Sequence, residues 1–193
     1  MEQLKNEKLT VEISSHGAEL QSIRNAEGRE YLWQGDEKYW PRRSPLLFPI
    51  VCGLWKDEYR VDGRTFNLPR HGFARDMDFE VVEKSDTSVT YTLESNAQTR
   101  DVYPYDFELD VTYILNDDNI NVIWSVKNTG KEEMHFQIGG HPAFNLPGVA
   151  EGDKMHGSIL FDNVEPLTRI IGNTGGCIKP ERYELKTDRQ VWN

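Results

Sequence analysis

The sequence predicts an all-β protein made of antiparallel strands, arranged as a sandwich or a barrel. Three observations carry that prediction. Apolar residues recur with period two rather than 3.6 along most of the chain. Short Asp-, Asn-, Ser- and Gly-bearing segments of the kind that close hairpins separate the alternating stretches. No segment has the apolar spacing of an amphipathic helix of about ten or more residues.

The alternation defines the elements in order. "KLTVEIS" puts Leu9, Val11 and Ile13 on one face. "EYRV" and "RTFNL" flank Asp62-Gly63, a dipeptide suited to the positive φ angles of a type I′ turn. "KSDTS" separates "FEVVE" from "SVTYTLES", in which Val89, Tyr91 and Leu93 alternate. "FELDVTYIL" aligns Phe107, Leu109, Val111 and Tyr113. "NDDN", residues 116–119, then turns the chain into "NINVIWSVKN", where Ile120, Val122, Trp124 and Val126 share a face. "FQIGGHPAFNLPG", residues 136–148, begins as a strand with Phe136 and Ile138. It is expected to stop at Gly139-Gly140, turn at His141-Pro142 and stop again at Pro147-Gly148. From about Glu151 the pattern weakens, and loops with a strand or two are expected. There is no internal repeat, low-complexity tract or linker, so a single domain is expected over 1–193.

Composition narrows the function classes. Apolar residues make up 37% of the 193, with 15 glycines outside that count, so a real core can form. A net charge of −10 argues against a general nucleic-acid or anionic-membrane surface, which needs a basic field. The N-terminus lacks an apolar signal-peptide region, and no apolar run nears the ~18 residues of a membrane span. Cys52 and Cys177 form no CxxC pair and read as free thiols of a reducing cytoplasm.

Three segments concentrate chemistry. In "WPRRSPLLFPIVCG", residues 40–53, prolines and adjacent arginines interrupt an apolar run; a strand edge with solvated arginines is the plainer reading. In "LPRHGFARDMDFEV", residues 68–81, Arg70, His71 and Arg75 crowd around Gly72, which allows close backbone or ligand approach; an arginine-rich surface turn would look the same. The third is the His141 segment. Of the other histidines, His16 reads as a turn residue, His135 as structural and His156 as exposed in a polar loop. No HxH, HExxH or Cys/His spacing suggests a metal site, and no GxSxG elbow or phosphate-binding glycine loop is present. Trp33, Trp40 and Trp55 lie near the arginines in sequence and suit either sugar stacking or the core.

Taken in order, "GAEL" (17–20), "YLWQGDEKYWPRRSPLLFPIVCG" (31–53), "RHGFAR" (70–75) and "IGGHPAFNLP" (138–147) resemble the aldose 1-epimerase, or galactose mutarotase, family, in its LacX-like branch. The resemblance implies a galactose mutarotase-like antiparallel β-sandwich. It also implies interconversion of the α and β anomers of a hexose by general acid–base ring opening, without metal or cofactor. His141 then matches the general acid that protonates the ring oxygen, a task suited to an imidazole with an ordinary pKa near about 6.5. His71 matches a histidine that hydrogen-bonds the sugar near the reacting centre. Arg42 matches a substrate-binding arginine, and Arg75 is a further hydroxyl or anion contact. A hexose 6-phosphate is the variant substrate, since arginine forks suit phosphate; a non-catalytic carbohydrate-binding module is the alternative of another class. The family's base is a glutamate in a Glu-Pro-Trp type segment. Here the sole Glu-Pro, Glu165-Pro166, precedes Leu167 in a different context. The sandwich is therefore expected to be incomplete at the C-terminus, with the catalytic glutamate beyond residue 193, unpaired sheet edges and reduced stability.

Overall fold

The computed structural model describes residues 1–146, 148, 157–160, 167–172, 178–185 and 189–192. The chain divides into two compact units, Met1–Asn145 and Leu146–Asn193.

In the first unit the alternating stretches become two antiparallel sheets. One contains β1 (Glu2–Lys5), β2 (Leu9–Ile13) and β3 (Leu20–Asn25) in sequence order. β4 (Leu46–Leu47) lies outside these sheets, and β5 (Glu58–Val61) and β6 (Arg64–Asn67) form a hairpin. Its turn residues Asp62 and Gly63 have φ of 47° and 77°, as the Asp-Gly dipeptide requires. The second sheet contains β7 (Glu80–Lys84), β8 (Ser88–Glu94), β9 (Phe107–Asn116) and β10 (Asn119–Asn128), again in sequence order. A single-turn helix, α1 (Ala97–Val102), caps the β8–β9 connection. Asn96 and Thr99 close a reciprocal capping box there, which sustains a helix too short to show a periodic pattern.

Burial follows the period-two reading. Leu9, Val11 and Ile13 of β2, Val89, Tyr91 and Leu93 of β8, and Phe107, Leu109, Val111 and Tyr113 of β9 all belong to one buried cluster. Two buried phenols of this cluster spend their polar ends on main chain: Tyr113 Oη donates to Ala18 O at 2.7 Å and Tyr91 Oη to Ile13 O at 3.3 Å. β10 departs from expectation. Val122, Ile123 and Trp124 remain exposed: among the described residues β10 pairs on one side only, and Val122 and Trp124 border an open concavity.

Phe48 is fully buried and makes ring contacts with Phe73, Tyr103, Phe107 and Phe136 at 5.2–6.2 Å between centroids. A buried phenylalanine of this kind contributes about 1.5–3 kcal/mol, before any aromatic-pair term. This ring fastens the segment before Cys52 to the segment after His71, and so holds two of the three chemistry-bearing stretches together.

In the second unit β12 (Gly157–Leu160) pairs with β15 (Arg189–Trp192), and β13 (Leu167–Gly172) pairs with β14 (Ile178–Leu185), all antiparallel. Four strands thus replace the expected loops with a strand or two. Residues 178–184 of β14 are exposed, so no buried face selected an alternating pattern that the sequence could display. Pro147, His156, Glu165-Pro166 and Cys177 lie outside the described residues.

Candidate active site

His141 is delivered by a straight run of backbone. β11 (Gly139–Gly140) pairs with β4 in the register Gly139↔Leu47 and Gly140↔Leu46. The pairing extends on both sides: Gln137 N donates to Pro49 O at 2.9 Å, His141 N to Pro45 O at 3.1 Å and Ala143 N to Arg43 O at 2.9 Å. The strand expected to end at the glycines therefore keeps its pairing through them and past His141. The glycines serve packing: a Cβ on Gly139 would lie 3.3 Å from Val51 Cγ2, and one on Gly140 would lie 3.3 Å from the Trp124 ring. Pro45 and Pro49 accept two of these bonds but have no N–H to return, so the ladder has one-way rungs at His141 and at Gln137, on either side of Gly139-Gly140.

The facing stretch is anchored by Glu19 of "GAEL". Its buried carboxylate accepts from Arg43 N at 2.9 Å and Ser44 N at 2.8 Å. These charge-assisted bonds fix the backbone just after Arg42. Arg43 points elsewhere, with Nη1 on Gln21 at 2.5 Å and Nη2 on Gln34 O at 3.0 Å. Trp40 is held through its carbonyl, which accepts from Trp33 Nε1 at 2.8 Å. Its ring lies 5.1 Å from the His141 ring. Trp33 contacts Tyr39, and Trp55 is exposed.

His71 is delivered quite differently. His71, Gly72 and Cys52 have φ of 71°, 70° and 67°, all in the left-handed region. Gly72 has no alternative: a Cβ there would lie 2.2 Å from Phe48 O. The same carbonyl accepts from Phe73 N at 3.0 Å and Ala74 N at 3.2 Å. His71 and Cys52 are paired reciprocally, His71 N donating to Cys52 O at 2.8 Å and Cys52 N to His71 Nδ1 at 3.0 Å. Burial first, and then the Arg75 guanidinium, hold the His71 imidazole below its ordinary pKa.

The two histidine rings meet at 5.8 Å in an edge-to-face arrangement. Among the described residues the His141 imidazole has ring neighbours but no hydrogen-bond partner. The arginines converge on a residue the sequence reading left out. Asp76 accepts from Arg42 Nη2 at 2.6 Å, and its other oxygen lies 3.4 Å from Arg75 Nε, an ion pair without hydrogen-bond geometry. Arg75 also donates from Nη2 to Arg70 O at 2.8 Å, and its side chain is only 18% exposed. The acid directly following "RHGFAR" was the available signal for Asp76. Trp40 was legible as an aromatic near the arginines, while nothing in the sequence marked Cys52.

Of the remaining histidines, His16 pairs with exposed Asp78 at 2.8 Å, and His135 is exposed. His135 bears on structure through its carbonyl, which accepts from Tyr103 Oη at 2.9 Å. Among the described residues no three His, Cys, Asp or Glu side chains are grouped to hold a metal ion. An apolar concavity of about 1090 Å³ lies on the neighbouring surface, lined by Leu20, Ile23, Tyr31, Val122, Trp124 and Phe144 among others. It borders Gly140 and Pro142 but neither His71 nor His141, so the chemistry-bearing side chains stand apart from this apolar hollow.

Comparison with known proteins decides the family. The aldose 1-epimerase family model matches residues 2–160. The chain belongs to the aldose 1-epimerase family. Within it the chain groups with the LacX-like branch, being 43% identical over 171 residues to the chromosomal and the plasmid LacX proteins of Lactococcus lactis subsp. lactis. These alignments cover 84% of this chain and 56% of each relative, so the chain spans little more than half the length of the LacX proteins. Among solved structures it resembles a galactose mutarotase related enzyme from Lactobacillus acidophilus, with a TM-score of 0.91 and 36% identity over 100% of this chain and 65% of that one. A galactose mutarotase-like protein from Lactobacillus casei ATCC 334 gives a TM-score of 0.91 and 36% identity, covering 99% of this chain and 67% of that one. The antiparallel sheets are those of the galactose mutarotase-like sandwich.

Proposed function

We propose that this chain carries the acid side of an aldose 1-epimerase site, acting on the anomeric centre of an uncharged hexose. The observation that carries the proposal is the meeting of His141 and His71 at 5.8 Å with Trp40 packed against His141. In this reading the exposed His141 imidazole, without a hydrogen-bond partner among the described residues, protonates the ring oxygen as the C1–O5 bond opens. His71 donates a hydrogen bond to a sugar oxygen, and Trp40 stacks on the ring. Arg42, oriented by Asp76, binds a hydroxyl, with Arg75 Nη1 as a further donor. The open aldehyde rotates and recloses, so each turnover needs one acid and one base. Each positioned proton transfer contributes typically ~10²–10⁴-fold. The base is proposed to be a glutamate, as the family resemblance implies.

The state of the arginines favours a neutral sugar over a hexose 6-phosphate. Arg43 is tied to Gln21 and Gln34, while Arg42 and Arg75 share the Asp76 carboxylate. A phosphate would have to displace that carboxylate. No nucleic-acid or membrane partner is proposed, and the ligand is a free cytoplasmic sugar.

A second reading, a sugar-binding module without catalysis, is favoured by one observation: among the described residues neither imidazole bonds a carboxylate. Saturation-transfer NMR of the anomer exchange of glucose and galactose separates the two. Acceleration that disappears in His141→Ala supports the epimerase reading. Saturable binding with unchanged exchange overturns it for this chain.

A further inference from the structure

We propose that the main chain of Cys52 locks His71 as its Nε2–H tautomer, making it a fixed hydrogen-bond donor beside His141. A backbone amide can only donate. With Cys52 N at 3.0 Å, Nδ1 of His71 must present its lone pair, and the proton of the neutral ring resides on Nε2. The return bond, His71 N to Cys52 O at 2.8 Å, ties the two residues into a ring, so the imidazole cannot flip without breaking a main-chain contact.

Cys52 and His71 both adopt left-handed backbone, which non-glycine residues seldom do, and outliers of this kind cluster at functional sites. Val51 N is itself fixed at 2.9 Å on Gln137 Oε1, so the Cys52 amide is aimed from its own side of the chain as well. Gly72, pressed on Phe48 O, prevents His71 from relaxing on the other side. Cys52 is thus a positioning residue that acts through its amide and not through its thiol. The two histidines divide the work: His71 keeps its proton on Nε2, and His141 is the one free to exchange. The lock stands on geometry alone; only the sugar oxygen that Nε2–H meets rests on the proposed function.

The test is long-range ¹⁵N–¹H NMR of the imidazoles in the labelled chain near neutral pH. Expected is an unprotonated Nδ1 and a protonated Nε2 for His71. A protonated Nδ1, or averaged tautomers, overturns the proposal. Cys52→Gly keeps the amide and suits the left-handed backbone, so it should preserve the pattern. Cys52→Val, whose branched side chain disfavours that backbone, should mix the tautomers and raise the His71 titration midpoint. An unchanged pattern in folded Cys52→Val overturns the role given to Cys52. Should that variant unfold, the wild-type and Cys52→Gly spectra still decide. Adding glucose reports separately on the sugar reading: a shifted Nε2 supports it, whereas a locked tautomer indifferent to sugar overturns that reading and leaves the lock intact.

Discussion

The segments bearing the two histidines solve opposite problems. The His71 loop combines two left-handed residues, one of them a glycine with no room for a Cβ, with an imidazole bonded to the main chain of a third, Cys52. The His141 strand is ordinary ladder, and its side chain is exposed, with aromatic rings and no hydrogen-bond partner beside it among the described residues. A hydrogen-bond donor must keep one tautomer and one direction, so strain and burial around it are useful. A group that gives and takes a proton needs access and an imidazole not committed elsewhere. The contrast teaches that identical side chains acquire different chemistry from the backbone that presents them.

The sharpest test of this contrast is His141→Ala. Anomer exchange should fall by ~10²–10⁴-fold, while stability changes by less than about 0.5 kcal/mol because the side chain is exposed. A large loss of stability would make His141 structural and break the comparison. Next is Gly72→Ala, which forces a methyl group into Phe48 O at left-handed φ. It should cost about 3 kcal/mol in urea unfolding; a cost below about 1 kcal/mol would mean that the loop yields easily. Asp76→Asn should cost under about 1 kcal/mol, since its carboxylate is half exposed. It should also raise the affinity for glucose 6-phosphate relative to glucose, measured by calorimetry; an unchanged ratio would remove Asp76 as the guard of a neutral site.

The smallest effect is in pH. The fold favours neutral His71, so its contribution to stability is complete above the ordinary histidine pKa, about 6.5, and is lost as pH falls below it towards the depressed folded value. Replacement by Asn, which tolerates left-handed backbone, should flatten that part of the stability–pH curve. An identical acid limb in His71→Asn would contradict the depressed titration.

Much of the fold was legible because period two is a local property. Leu9, Val11 and Ile13, or Phe107 through Tyr113, show their buried face whatever they pack against. β1 and α1 were missed for want of length, and β14 because exposed strands need no alternation. The glycines before His141 read as a stop because glycine usually interrupts a strand, whereas here it accommodates Val51 and Trp124 from elsewhere in the chain. Asp76 drew no notice because an acid after an arginine in an exposed turn is commonplace until Arg42, 34 residues away in sequence, closes on it.

The amino-acid order alone determined the strands, the hairpin turns and the motif series that marks the family, for these depend on neighbours along the chain and on residue types at fixed spacings. Tertiary structure decided the surroundings of each marked residue. His71 acquired a bonded imidazole with a depressed pKa, and His141 one with no hydrogen-bond partner among the described residues, only once Cys52, Phe48 and Trp40 were brought beside them. Tautomer, burial and ion pairing depend on distances of a few ångströms between segments remote in sequence, and only folding sets those distances.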